Sequence, residues 1–499
     1  MIYFVKCLLP FLAVAAMAAC SEKPEPAPPT VDPVVDPTPA VDPPKEEGNT
    51  VCTDAPLLVE TASTPVLGTA GYIRVYTAKD SKLVDEINLG DLSSVTVRED
   101  GQTIPSAQMT KETVMHTFMD AIKSGSRYRI VHYTPVRATD KGLEIRLHNS
   151  VLSFDTEYKV TVDAGVIEGG EAKEWAFKTR KKPAATAELQ VKPDGTGDFC
   201  TIQGALSYAS TLGKATAVTV HVAEGTYREM LFLRDKDNVT LKGAGRRDNC
   251  VISYANNESY AGGSGGSQGS KPSVGRAIGT CGGRGVILVE SCDNLTLENL
   301  TVQNTFGEEK GQAETIYFNS NGHLTLENCA LHSLQDTFLC KGLVYVHNSL
   351  IVGHCDFIWG YPKACLFEKC EIRAAAPGYI VQARVSSSSD KGFVFLDCDL
   401  TAASGVRDGS MYLARSGGSG DYYDNVTFIR CKMGSVIASE GWYTKPAPNP
   451  SVPTASSGWK EYGSMDASGN PVSGHHSYGK VLSASEAEAF SSKEVVLGK

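Results

Sequence analysis

Positive charge is in short supply in this chain. Its 47 lysines and arginines stand against 57 aspartates and glutamates, leaving a net charge of −10 over 499 residues. That balance argues against a nonspecific nucleic-acid binder, because neutralising phosphates takes a basic surface. Long apolar runs are missing once the first 20 residues are passed, so no later segment reaches the roughly 20 residues of a membrane helix. What is present describes a foldable chain: 41% hydrophobic and 21% charged residues exclude wholesale disorder. The 48 glycines and 20 tyrosines favour a strand- and turn-rich fold. The length suggests two to four domains, and the 14 cysteines have no meaning by count alone.

The N-terminus reads as an export signal. Lys6 is followed by an apolar run from Leu8 to Ala19, and Met17-Ala18-Ala19 stands directly before Cys20. Small residues before a cysteine resemble a bacterial lipobox. Residues 1–19 are therefore expected as a signal peptide and Cys20 as the lipid attachment site, anchoring the exported protein to the bacterial outer membrane. Residues 21–50 hold nine prolines, seven acids and two lysines, with Val-Asp-Pro repeated. This composition makes 20–53 a semi-rigid extended tether. It also carries half of the net charge.

Two folded regions follow. From 54 to 182, short segments alternate with period two, as in Tyr72-Ile73-Arg74-Val75-Tyr76 and Tyr158-Lys159-Val160-Thr161-Val162. They predict a small antiparallel β-sandwich resembling bacterial Ig-like domains, a spacer or binding module with no clustered catalytic residue types. From 187 to 499 the chain repeats. Leu297-Glu298-Asn299-Leu300 aligns with Leu326-Glu327-Asn328-Cys329, then with segments ending at Ser349, Cys370, Cys398 and Cys431. The last column recurs after 29, 20, 21, 28 and 33 residues. Such periods with strand-length units predict an all-β, right-handed parallel β-helix, and the consensus ladder of leucine-rich repeats is absent. The column reads as buried small residues in an interior stack. A metal site would need thiolates converging on one point, whereas these lie along a line. Disulfides between adjacent coils, or from Cys250 to a loop cysteine, remain open.

Asp336 is seven residues beyond Cys329, and Asp356 is seven beyond Ser349. Equal offsets on consecutive coils stack the two carboxylates roughly one strand spacing, about 4.8 Å, apart. Their pKa values should separate, giving a nucleophile or base beside an acid. Gln335, and Gln312 one coil earlier, supply amide donors suited to a developing oxyanion.

These residues carry a resemblance. Asp194-Gly195-Thr196-Gly197-Asp198-Phe199, Gly225-Thr226-Tyr227-Arg228-Glu229, Gln335-Asp336-Thr337-Phe338, Gly353-His354-Cys355-Asp356-Phe357-Ile358-Trp359-Gly360 and Tyr412-Leu413-Ala414-Arg415 are similar, in order, to the motifs of pectin methylesterases. That resemblance implies hydrolysis of galacturonate methyl esters in pectin, with Asp356 as nucleophile and Asp336 as general acid and base. It further implies that Gln312 and Gln335 hold the oxyanion and that Arg415 orients Asp356. Phe338, Trp359, Tyr412 and Trp442 would contact the sugar chain. No metal or cofactor is implied, and the protein is expected to be a monomer.

Three departures stand out. Arg415 is followed by Ser416-Gly417-Gly418 where the family has Pro-Trp, Trp359 replaces a Phe, and 255–285 is a Gly/Ser-rich insertion expected as a mobile loop near the cleft. The substrate is thus either homogalacturonan or a branched pectin domain. Two rival readings are another β-helix pectinase that cleaves the glycosidic bond, and an inactive pectin-binding surface protein. Neither the acid and Gly-His-Gly elements of polygalacturonases nor a calcium-lyase acid cluster is present.

Overall fold

The structure, a computed structural model, describes residues 50–90, 95–97, 103–105, 118–258, 266–269, 283–306, 311–472, 475 and 478–498. The signal segment, Cys20 and the proline-rich tether up to residue 49 lie outside the described residues, as does most of the 255–285 insertion.

The first described strand of the N-terminal region is Thr50–Val51. Thr50–Val51 pairs in parallel with Lys173–Thr179. That strand continues antiparallel through Glu157–Val162, Tyr72–Thr77 and Leu83–Asn88. A second antiparallel sheet holds Leu57–Glu60, Gly142–Ile145 and Val136–Thr139. Alternation explains the packing. Tyr158, Val160 and Val162 turn inward from one strand and meet Leu57, Val59, Leu143 and Ile145 of the other sheet in one core. The hairpin of Phe118–Ser124 and Arg127–Tyr133 leaves these sheets and lies on the second region, where Ile122 and Val131 pack against Met230, Phe232 and Leu288. The N-terminal region is therefore joined to the second region by packing as well as by its connector.

From Glu188 onward the strands of successive coils pair in parallel and in register, forming a parallel β-helix. One interior column runs Leu241, Leu297, Leu326, Val346, Phe367, Phe395 and Phe428. Its last three rings stack 4.8 and 4.5 Å apart. Each coil then turns through a left-handed residue: Asn299, Asn328, Asn348, Lys369, Asp397 and Arg430 all have φ between 49 and 55°. Asn and Asp tolerate this region best among residues with a Cβ.

The next residue is the column read from the sequence, and it is interior throughout. Each thiol there donates to the carbonyl two residues back and to a carbonyl of the preceding coil. Cys370 reaches the Glu368 and Val346 oxygens at 3.3 Å each, and Cys431 reaches those of Ile429 and Phe395 at 3.5 Å each. Ser349 makes the equivalent bond to the His347 oxygen at 2.8 Å, which explains why serine substitutes there. The column satisfies turn carbonyls in the buried interior. All eleven cysteines among the described residues are free and buried, so none of them forms a disulfide.

Candidate active site

The two aspartates sit at a second left-handed corner. Asp336 has φ 60° and Asp356 φ 47°, a left-handed conformation that aspartate tolerates better than most residues. Gln335 bridges Cys355 in parallel, and the Asp336 amide donates to the Cys355 oxygen at 3.0 Å. Register thus places the carboxylates on adjacent coils, as the equal offsets required.

Their surroundings differ. Asp356, 4% exposed, accepts Arg415 Nε on Oδ1 at 2.7 Å and Arg415 Nη2 on Oδ2. Gln382 Nε2 adds a bond to Oδ2 at 2.8 Å. Burial raises the Asp356 pKa, and the Arg415 guanidinium opposes that rise. Among the described residues Asp336, 3% exposed, accepts one side-chain hydrogen bond, from Arg284 Nη2 on Oδ2 at 2.9 Å. Arg284 is shared, because its Nε also binds both oxygens of the fully buried Glu314 at 2.8 and 3.0 Å. Burial and then the Glu314 charge push the Asp336 pKa well above the carboxylate range, with Arg284 pulling the other way. One cation between two buried carboxylates leaves one negative charge in excess, and a proton held by the Asp336–Glu314 pair, both of whose pKa values burial raises, removes it.

Gln312 belongs to this group: its Oε1 accepts Arg284 Nη1, which leaves the Nε2 hydrogens for another acceptor. Gln335 is half-buried, one residue before Asp336, and its backbone carbonyl accepts the Ala313 amide, next to Gln312, at 3.1 Å. The five residues expected to act on the ester are therefore gathered in one place. The sequence reading missed Arg284, Glu314, Gln382 and Arg384. Arg384 holds the Gln382 oxygen from Nε at 3.0 Å and lies over the Trp359 ring, 4.9 Å from its centroid.

The aromatic assignments need correction. Side chains alternate between interior and exterior along each strand, and the exterior column through the site runs Phe232, Leu288, Tyr317, Leu339, Trp359. It continues to Gln382, in register with Trp359, and Tyr443 follows in register with Arg415. Phe338 is instead the coil mate of Ile358, fully buried and edge-on to Phe367 inside the helix. Trp442 is the mate of Ala414, 1% exposed and stacked on Trp459 at 5.1 Å. Neither can touch a polysaccharide. The outward aromatic at that coil is Tyr443, grouped with Tyr379 and the half-buried Tyr412 at ring distances of 4.9 to 5.9 Å. Trp359 is on the outer face but only 4% exposed, held between Arg284 and Arg384 and edge-on to Tyr317. It forms floor more than an open stacking platform. A Cβ at the exposed Gly417 would have Gln382 atoms as its nearest neighbours, at 3.7 Å, an ordinary van der Waals contact.

A family model described as pectinesterase matches residues 188–499. Among curated proteins, the chain is 31% identical over 263 residues to pectinesterase 31 of Arabidopsis thaliana, spanning 52% of this chain and 78% of that one. It is 29% identical over 286 residues to probable pectinesterase A of Aspergillus niger, spanning 55% and 79%. The solved pectin methylesterase of Aspergillus niger superposes with a TM-score of 0.50 at 25% identity, covering 64% of this chain and 96% of that one. The carrot enzyme shares the fold at 21% identity and the same TM-score, covering 62% and 92%. Through residues 188–499 this chain belongs to the pectinesterase family, carboxylic ester hydrolases that remove the methyl esters of pectin.

Proposed function

We propose that this pectinesterase works through an aspartyl acyl-enzyme, with Asp356 as nucleophile and Asp336 as general acid and then base. A carboxylate oxygen of Asp356 attacks the ester carbonyl carbon of a methylated galacturonate. The carbonyl oxygen becomes an oxyanion held by the side-chain amides of Gln312 and Gln335. Collapse breaks the carbon–methoxide bond, and the Asp336 proton passes to the departing oxygen, releasing methanol. Asp336, now ionised, takes a proton from water, whose oxygen attacks the anhydride carbon. The second collapse frees the galacturonate acid and restores the Asp356 carboxylate and the Asp336 acid.

The observation that carries this assignment is the asymmetry of the pair. The Asp356 carboxylate is gripped at both oxygens by a guanidinium, which favours the charged nucleophile. Asp336 shares the guanidinium it is hydrogen-bonded to with Glu314, which favours the protonated acid. Gln312, fixed through its oxygen by Arg284, is oriented to donate. The test is methanol release from methylated pectin with reducing ends followed in parallel. The enzyme should release methanol without new reducing ends, and Asp356→Ala should lose the activity. Release undiminished in that variant would end the mechanism, and reducing ends from the unaltered protein would favour glycosidic cleavage.

The same reading extends to the whole chain. Signal 1–19 exports the protein, Cys20 carries lipid, and the tether sets it off the outer membrane. The paired antiparallel sheets act as an Ig-like module before a monomeric catalytic domain. The Ala18-Ala19-Cys20 sequence supports the anchor, and the shared core of the two sheets supports the module. Gly417 beside Gln382 leaves the cleft wall open where the family has an aromatic, which supports a branched pectin domain as substrate over plain homogalacturonan.

A further inference from the structure

Arg129 lies on the hairpin strand Arg127–Tyr133, far from the acids in sequence, and has no exposed surface. Its Nη1 donates to the Leu231 oxygen at 2.6 Å and the Val286 oxygen at 3.1 Å. Its Nη2 donates to the Gly283 oxygen at 3.3 Å and to the Gly285 oxygen. One planar guanidinium therefore ties a catalytic coil to the two residues that flank Arg284. Gly-Arg-Gly has little conformational preference of its own, so its geometry must be imposed from outside. Asn256 Nδ2 shares the task, donating to the Gly283 and Gly285 oxygens at 3.1 Å each. From the backbone so fixed, Arg284 reaches Glu314, Gln312 and Asp336 at once.

We infer that Arg129, a residue of the N-terminal region, is a positioning residue for ester hydrolysis, holding Gly283–Gly285 so that Arg284 stays seated between Glu314 and Asp336. The inference rests on Asp336 being the general acid. It makes the hairpin part of the acid's environment and the N-terminal region more than a spacer.

The charged groups facing Asp336 are Glu314, Arg284, Asp356 and Arg384, and Arg284 in turn faces Glu258 at 3.7 Å and Tyr317. Among these, seated Arg284 lowers the Asp336 pKa while burial, Glu314 and Asp356 raise it. Unseating Arg284 removes a lowering influence, so the acid holds its proton to higher pH. Loss of Asp336 protonation is the alkaline limb of the rate profile, and that limb should move up.

Arg129→Met, Arg129→Lys, Arg284→Gln and the Arg129→Met/Arg284→Gln double variant would be compared with Asp336→Asn by methanol release across pH, with melting curves to confirm folding. Arg129→Met is expected to lower kcat about tenfold, to leave KM within about twofold, and to displace the alkaline limb upward. Arg129→Lys, with donors for part of the carbonyl set, should fall between it and the unaltered enzyme. The double variant should match Arg284→Gln alone, because both changes act through one side chain. A folded Arg129→Met with an unmoved limb, or full additivity in the double variant, overturns the inference. If Arg129→Met does not fold, Arg129→Lys decides: an unmoved limb beside a shifted Arg284→Gln overturns it equally. Full activity in Asp336→Asn would instead overturn the general-acid assignment beneath it.

Discussion

Replacing Arg415 by glutamine takes two charge-assisted hydrogen bonds from the Asp356 carboxylate while leaving the one from Gln382. Bonds of that kind contribute about 1.5–3 kcal/mol each. The Arg415 side chain is 26% exposed, so solvent discounts the pair. We expect a net loss of about 2 kcal/mol of transition-state stabilisation, which is roughly a 30-fold fall in kcat/KM at the pH optimum. The change has a second signature. Burial already raises the Asp356 pKa and Arg415 is the first force against it, so removing the cation raises it further. The nucleophile must be ionised, and the acid limb of kcat/KM reports its titration in the free enzyme. That limb should therefore move to higher pH, and activity should be lost first on the acid side. Methanol release from methylated pectin, measured as initial rates across pH with the variant's folding checked by circular dichroism, reads both effects. An acid limb that stays in place would refute the pairing as the source of nucleophile ionisation. A loss in KM alone would assign Arg415 to substrate binding instead.

Two further predictions concern the departures from the family pattern and the N-terminus. Gly417 is exposed and a Cβ there clashes with nothing, its nearest neighbour Gln382 lying 3.7 Å away, so Gly417→Trp should fold, and partial burial of the ring against a sugar should lower KM on linear methylated homogalacturonan about fivefold, or about 1 kcal/mol. An unchanged KM on linear substrate, with the variant folded, would show that the open wall at this position does not set preference. Cys20→Ala should move the protein from the membrane to the soluble fraction and abolish incorporation of labelled fatty acid, and retention of the label would exclude Cys20 as the attachment site.

How far the site could be read depended on what the repeat carries. Asp336 and Asp356 were legible because register in a parallel solenoid follows counting, and an αL corner favouring Asp recurs at the same offset. The cysteine column was legible for the same reason. Phe338 and Trp442 were misplaced because aromatic identity outweighed alternation. Their coil mates Ile358 and Ala414 are interior, and tracing the mates would have turned attention to Leu339 and Tyr443. Arg284 lies at the end of the insertion, 52 residues before Asp336, outside any repeat offset.

The sequence by itself determined the coil period, the stacked acids and the buried column, because each follows from spacing along one chain. Only the tertiary structure decided how the acids are differentiated. Arg284 serves both Glu314 and Asp336, and Arg129 ties down the backbone on either side of it, at Gly283 and Gly285, from 154 and 156 residues away. Those contacts join segments with no shared period, and their energies depend on burial, which only the folded chain creates.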